Sequence, residues 1–401
     1  MKIRFLLLNA YAVGGTVRTV VNQANALAAA GHEVEIASVH RHRAAPAFPL
    51  HHGIRLHALT DTTVTGPWGR RHVEAWQRRR PSELIPRAEV KFTRFSRLTD
   101  HRITRYLRSL NDGVLITTRP GLNILSARFA PPTVLRIGQE HLHYERHKPA
   151  LTQQIDLWYP RLDALTVLTE ADRQTYAARL PGAQVRIERI PNPLPDATPA
   201  RSSLDRPLVV SAGRLVKAKG FDTLIEAFAR VARAHPDWQL RIYGSGPERD
   251  RLRTLIHERH LYNHVYLMGS TPYLEAELAK ASLFALASRH EGFGMVLAEA
   301  MSHGVPPVSF DCPQGPREII TGGQDGLLIA PGNAVALAEA LALLIEHPEL
   351  REKLGESAAL AARRYAPGRI REQWEALFAE LGGPGGLTAA RSGASGSPTS
   401  R

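Results

Sequence analysis

Short aliphatic runs recur along the chain at strand length, and between them lie segments whose apolar positions fall three and four apart. In the first half, runs at 2–9, 33–39, 54–58, 113–118, 133–137, 164–168 and 185–190 predict strands, and patterns at 15–30, 100–110 and 170–180 predict helices. The second half repeats the rhythm. Strands are expected near 207–212, 239–243, 264–268, 282–287, 306–310 and 326–329, and helices near 221–234, 247–259, 273–280, 295–303 and 333–345. This alternation belongs to parallel sheets, so the expected fold class is α/β with two doubly wound, Rossmann-like domains facing a cleft. The prolines of Ile190-Pro191-Asn192-Pro193-Leu194-Pro195 can continue neither a helix nor a central strand and mark the linker. The expected division is a first domain over 1–195, a second over 196–364, a closing helix over 365–381, and a Gly/Ser/Pro-rich disordered tail over 382–401.

One charge breaks the pattern. The segment 295–301 is apolar except for Glu299, and it follows the strand-like Leu283-Phe284-Ala285-Leu286-Ala287. A carboxylate buried there needs donors, and the hydroxyl pair of a ribose or hexose supplies them. Eight residues upstream stands Glu291, followed by Gly292-Phe293-Gly294, where the backbone can approach a ligand and the N–H groups at the helix start favour phosphate.

Other strand-to-helix loops carry compatible groups. Gly213-Arg214 to Lys219-Gly220 offers a guanidinium fork and an ammonium to a diphosphate, or else is a basic surface loop. Gly244-Ser245-Gly246 lacks the third glycine of a dinucleotide fingerprint, since position 249 is Arg. A nicotinamide site is therefore disfavoured, and backbone approach to a nucleotide stands beside a tight turn opening a helix. Gly14-Gly15 after the first strand offers backbone donors, or merely turns the chain. His141 ends a strand within Gln139-Glu140-His141, where it can donate to a sugar hydroxyl, although the chain holds 18 histidines. The segment 311–320 turns through Gly315 and two prolines, and Glu318 suits a helix start with or without a ligand.

Length and charge narrow the class. A chain of 401 residues with 43% hydrophobic content buries a core larger than one ordinary domain. A single cysteine, Cys312, excludes an internal disulfide framework and fits a reducing compartment. The apolar run after Met1 is too short for a signal peptide and reads as a first strand, so a cytoplasmic protein is expected, attached at most to the inner face of the plasma membrane. The formal charge is +13, and residues 69–109 concentrate it. That stretch is either a solvated helical face or a patch for anionic lipid, with Trp68, Trp76, Phe92, Phe95 and Tyr106 at the headgroups. No nucleic-acid motif accompanies it. No Asp-x-Asp and no metal-ligand spacing occurs, so no metal and no cofactor is expected.

Taken together, Glu291 and Glu299, Gly213-Arg214 to Lys219-Gly220, the Ile190-Pro191-Asn192 linker, Gly14-Gly15 and the closing helices resemble the retaining two-domain nucleotide-sugar glycosyltransferases of family 4, which have the GT-B fold. The resemblance covers about residues 1–381. It implies that Glu299 binds ribose, that Arg214 and Lys219 hold the diphosphate with Gly14, Gly15, Gly244 and Gly246 nearby, and that Glu291, Gly292, Phe293, Gly294, Met295 and His141 surround the donor sugar. Glu291, His141, Arg214 and Lys219 are the implied catalytic set. The closing helix would pack back on the first domain. Segment 311–320 is similar to members that build capsule, wall-polymer or lipid-linked glycans, which implies a UDP-sugar donor and a glycan, lipid-linked or small-molecule acceptor. The alternatives are a non-catalytic nucleotide- or polyanion-binding protein and, further off, an NAD-dependent dehydrogenase.

Overall fold

The computed structural model describes residues 1–63, 68–196 and 199–382, and for 68–73 the backbone alone. The chain divides into two compact units: Met1–Pro193 with the segment from Pro367 onward, and Leu194–Ala366.

Unit 1 holds a seven-stranded sheet, and every strand pairing in it is parallel. The strands are β1 (Lys2–Leu7), β2 (Glu33–Arg41), β3 (Arg55–Asp61), β4 (Val114–Thr117), β5 (Leu135–Gln139), β6 (Ala164–Val167) and β7 (Arg186–Arg189), in the order β3-β2-β1-β4-β5-β6-β7. Unit 2 holds β8 (Leu208–Ala212), β9 (Gln239–Tyr243), β10 (Val265–Gly269), β11 (Leu283–Leu286), β12 (Pro307–Phe310) and β13 (Leu327–Ile329), all parallel, in the order β10-β9-β8-β11-β12-β13. Central strands such as β8 and β11 are buried at every residue because helices cover both faces, which is why they read as unbroken apolar runs.

In each sheet the first strand lies between its successor and a later strand, so the winding reverses beside it. Crevices open at such switch points, outside the carboxyl ends of the strands. In unit 1 the reversal lies between β1 and β4, and in unit 2 between β8 and β11.

The helices follow from where their apolar residues fall. Phe221–Ala234 buries Phe221, Leu224, Ile225, Phe228 and Val231 on one stripe against the unit 2 sheet. Truncating a fully buried ring such as Phe228 costs about 3–5 kcal/mol. Pro367–Gly382 inserts Ile370, Trp374, Leu377 and Phe378 into the core of unit 1 beside the helix Gly15–Ala29, with His32 Nε2 2.9 Å from Glu375. The tail expected over 382–401 lies, apart from Gly382, outside the described residues.

Three helices were not expected from the apolar pattern. Pro120–Phe129 is buried at eight of ten positions and so lacks a polar face, while four of the twelve residues of Trp68–Arg79 are arginine. Pro149–Trp158 is a third, opened by a proline at its first position.

The basic stretch differs from the expected lipid-facing patch. Phe95 is buried, and Phe92 and Tyr106 pack against the core, because the capped helix Arg97–Arg108 turns its apolar face to the sheet. Its charges are partly spent: Arg97 bonds Glu83, Arg102 lies 2.5 Å from Glu74, and buried Asp100 accepts from Ser82 Oγ at 2.6 Å. Trp76 stays half exposed beneath Arg80, and the side chains of Trp68, Arg70 and Arg71 lie outside the described residues. Among the described residues no helix is long and apolar enough to cross a membrane.

Candidate functional site

The switch point of unit 2 gathers the singled-out charges. The loop after β8 carries Lys219 and the loop after β11 carries Glu291; Lys219 Nζ donates to Glu291 Oε1 at 2.5 Å, and Ser288 Oγ donates to the same oxygen at 2.6 Å. The lysine stem runs over Gly213, whose missing Cβ would lie 3.6 Å from Lys219 Cδ. Glu291 is nearly buried and Lys219 about one-fifth exposed, so the pair sits where screening is weak and one charge fixes the other. Cys312 lies close by, its thiol pushed up to about 12 by burial and the Glu291 charge, which keeps it protonated.

The two loops are braced against each other by residues that sequence reasoning missed. Arg289 donates to the carbonyl of Lys217 at 2.5 Å and sits 3.0 Å from Asp222, holding the Asp222 carboxyl low despite its burial, and the Arg289 N–H donates to Ala218. Gly220 is left-handed, and a Cβ there would strike the Ala287 carbonyl at 1.9 Å. The only sequence sign of Ser288 and Arg289 was their place between a strand and Glu291.

Glu299 lies on the inward face of the helix Met295–Ser302 and is buried, as expected of a carboxylate that breaks an apolar run. Gly294 is left-handed at the N-cap, which starts that helix directly beneath the Glu291 loop. Met295 is half-buried and Gly292 partly exposed. Phe293 turns its side chain inward, where it meets Tyr365 edge-on at 5.6 Å. Only its backbone remains for a ligand. Arg214 is exposed and, among the described residues, its side chain has no hydrogen-bond or ion-pair partner. Segment 311–320 underlies the same loop; a Cβ on Gly315 would lie 2.7 Å from the Phe293 carbonyl, and Asp311 accepts from Arg317 at 2.9 Å. The partly exposed Glu318 gives its carbonyl to the Tyr365 hydroxyl at 3.0 Å.

The glycines split into two kinds. A Cβ on Gly244 would lie 1.8 Å from the Gly213 carbonyl, and one on Gly246 would lie 2.3 Å from the Leu215 carbonyl. These two are required by loop-on-loop packing, sealed by the Leu215 N–H donating to Ser245 at 2.9 Å. Gly14 and Gly15 are exposed, and a Cβ on either would meet nothing within 4 Å. Nothing inside the described chain requires glycine there.

In unit 1, His141 follows β5. Its Nε2 is buried with no hydrogen-bond partner, and burial, with Arg119 nearby, pushes its pKa down to about 4, so the ring is neutral at physiological pH. Behind it lies a buried network absent from the sequence reading. Glu140 accepts from Asn123 Nδ2 at 3.0 Å and from the Tyr159 hydroxyl, with His147 Nε2 at 3.6 Å. His143 Nδ1 lies 2.5 Å from Asp172. Although burial opposes it, the Glu140, Glu89 and Asp172 carboxylates raise the His147 pKa. Among the described residues no group of three His, Cys, Asp or Glu side chains is placed to hold a metal ion.

The chain is similar to known proteins in sequence and in fold. Residues 197–360 match the family described as Glycosyl transferases group 1. Over 95% of its length the chain is 39% identical to an exopolysaccharide phosphotransferase of Streptomyces coelicolor, of which it spans 41%. It is 26% identical to an uncharacterized glycosyltransferase of Haemophilus influenzae, covering 94% of this chain and 99% of that one. Its fold matches that of a TarM variant of S. aureus, solved with fondaparinux, alpha-GlcNAc-glycerol and UDP, with a TM-score of 0.75 and 17% identity over 94% of this chain and 99% of that one.

Proposed function

We propose that this chain, whose residues 197–360 match the family described as Glycosyl transferases group 1, moves a hexose from a nucleoside-diphosphate sugar to a hydroxyl acceptor in the synthesis of a cell-envelope polymer. The observation that carries the reading is the Lys219–Glu291 pair held at 2.5 Å at the unit 2 switch point, above a helix that buries Glu299. In this reading Lys219 and Arg214 neutralise the diphosphate and Glu299 accepts the ribose hydroxyls. Glu291 and the backbone N–H groups after it hold the hexose. UDP in the related S. aureus structure favours uridine as the base.

From the resemblance to retaining family 4 enzymes we assign transfer with retention, through an oxocarbenium-like transition state in which the departing diphosphate takes up the acceptor's proton, a course that needs no protein nucleophile. The Lys219 charge is what makes that leaving group depart. Unit 1 would select the acceptor, with His141 as a neutral hydrogen-bonding group and Gly14-Gly15 open to a ligand's approach. Trp76 with Arg80 offers the described part of a contact with anionic membrane, where a lipid-linked acceptor resides.

The test is a panel of nucleotide sugars assayed for nucleoside diphosphate release, with and without polyol-phosphate and lipid-linked acceptors. Turnover of a UDP-hexose that rises with acceptor is expected. A folded protein that neither consumes any nucleotide sugar nor binds UDP contradicts the reading.

A further inference from the structure

We infer that unit 1 contains a phosphate-recognition site for the acceptor, built on Arg119 and His141 at the carboxyl ends of β4 and β5. The inference rests on the transferase reading and adds to it the chemistry of the acceptor.

Arg119 occupies the unit 1 switch point. It follows β4 and caps the helix Pro120–Phe129, so the helix start adds its own partial positive charge there. Its Nη1 is buried and makes no hydrogen bond. The carboxylate facing it, Glu89, stands 3.9 Å away, beyond hydrogen-bond reach. Glu89 is itself committed, accepting from the Gly121 N–H at 3.0 Å and the Lys91 N–H at 3.3 Å. It holds the guanidinium in place without using the donor.

A buried donor left unpaired costs about 1–3 kcal/mol, and more when charged, so such an atom calls for a bound acceptor. His141 Nε2 is a second unpartnered buried atom beside the same charge, and Gln139, wholly buried at the end of β5, leaves both amide atoms unpartnered. The surrounding network does not claim them: Glu140 is taken by Asn123 and Tyr159, and Asp172 Oδ2 by His143 and Thr169, while Asp172 Oδ1 makes no hydrogen bond. A guanidinium donates only, and buried it pairs best with an anionic oxygen. A phosphate ester on a hydroxylated acceptor meets that need, with the imidazole as a second contact. The positive excess of residues 69–109 would attract the same ligand.

The test uses the full chain with saturating UDP, so that the diphosphate site of unit 2 is filled. Glycerol 3-phosphate, glycerol and phosphatidylglycerol vesicles are titrated in turn. Glycerol 3-phosphate is expected to bind and glycerol not to; vesicle binding without soluble binding would assign the phosphate to a lipid headgroup. Arg119→Gln should weaken the phosphate-bearing probe about tenfold or more, and Arg119→Lys, which keeps the charge, should retain part of it. Both should bind UDP as the wild type does, which also shows that they fold. Equal binding of the phosphate probe by wild type and Arg119→Gln, or UDP binding with no phosphate binding in either form, overturns the inference while leaving the transferase reading intact. Failure of the wild type to bind UDP overturns the transferase reading instead.

Discussion

The two switch points solve the placement of charge in opposite ways. In unit 2 the ammonium of Lys219 is already paired with Glu291 and braced by Ser288, while Arg289 locks the flanking loop. In unit 1, Arg119 Nη1, His141 Nε2 and the Gln139 amide are buried with nothing to bond. A paired site is preorganised for a ligand that arrives with its own charge and displaces little, as a diphosphate does. An unpaired one is stabilised only when occupied.

The sharpest way to break this contrast is Lys219→Ala. It leaves a nearly buried carboxylate without its cation, so unit 2 should lose about 3 kcal/mol of stability. Turnover of the nucleotide sugar should fall about 10²–10³-fold, since the charge that stabilises the leaving group is gone. Denaturant midpoints and UDP release measure the two. Gly220→Ala should destabilise by about 3 kcal/mol, because its Cβ strikes the Ala287 carbonyl in a left-handed turn, whereas Gly14→Ala should shift the unfolding midpoint by less than about 0.5 kcal/mol. A comparable loss at both positions would show that the glycines do not differ in kind.

How much of this could be read from the chain follows the same divide. The thirteen strands among the described residues were legible as apolar or alternating runs, and Glu299 betrayed its burial by interrupting the apolar run of a helix. Lys219 and Glu291 were legible because each lies in a short loop between a predicted strand and a predicted helix. Their direct contact was not, since 72 residues separate them. The unit 1 network was illegible for a stronger reason: Glu89, Asn123, Glu140, His147 and Tyr159 come from separate segments, and each alone resembles an ordinary surface polar residue. The inward turn of the Phe293 ring was not legible either, since its partner Tyr365 lies 72 residues further along the chain.

Smaller effects sharpen the comparison. Glu299→Gln should weaken UDP about tenfold, roughly 1.4 kcal/mol, while leaving the phosphate titration of unit 1 unchanged. Two histidines of unit 1 should give pH slopes of opposite sign. The raised His147 contributes stability that is fully present below its unfolded pKa of about 6.5 and is lost as the pH rises through its higher folded value. His141, lowered to about 4, binds its proton more readily when unfolded, so between about pH 4 and 6.5 it makes stability fall as the pH drops. Unfolding midpoints across pH for His147→Gln and His141→Gln should flatten the upper and lower windows respectively.

Whether the loops after β8 and β11 form a nucleoside diphosphate site is decided by calorimetric titration of the intact chain with UDP. Saturable binding to the wild type is expected, about tenfold weaker in Glu299→Gln and weaker still in Lys219→Ala. Equal UDP affinity in all three folded proteins, or no heat with the wild type, would contradict it.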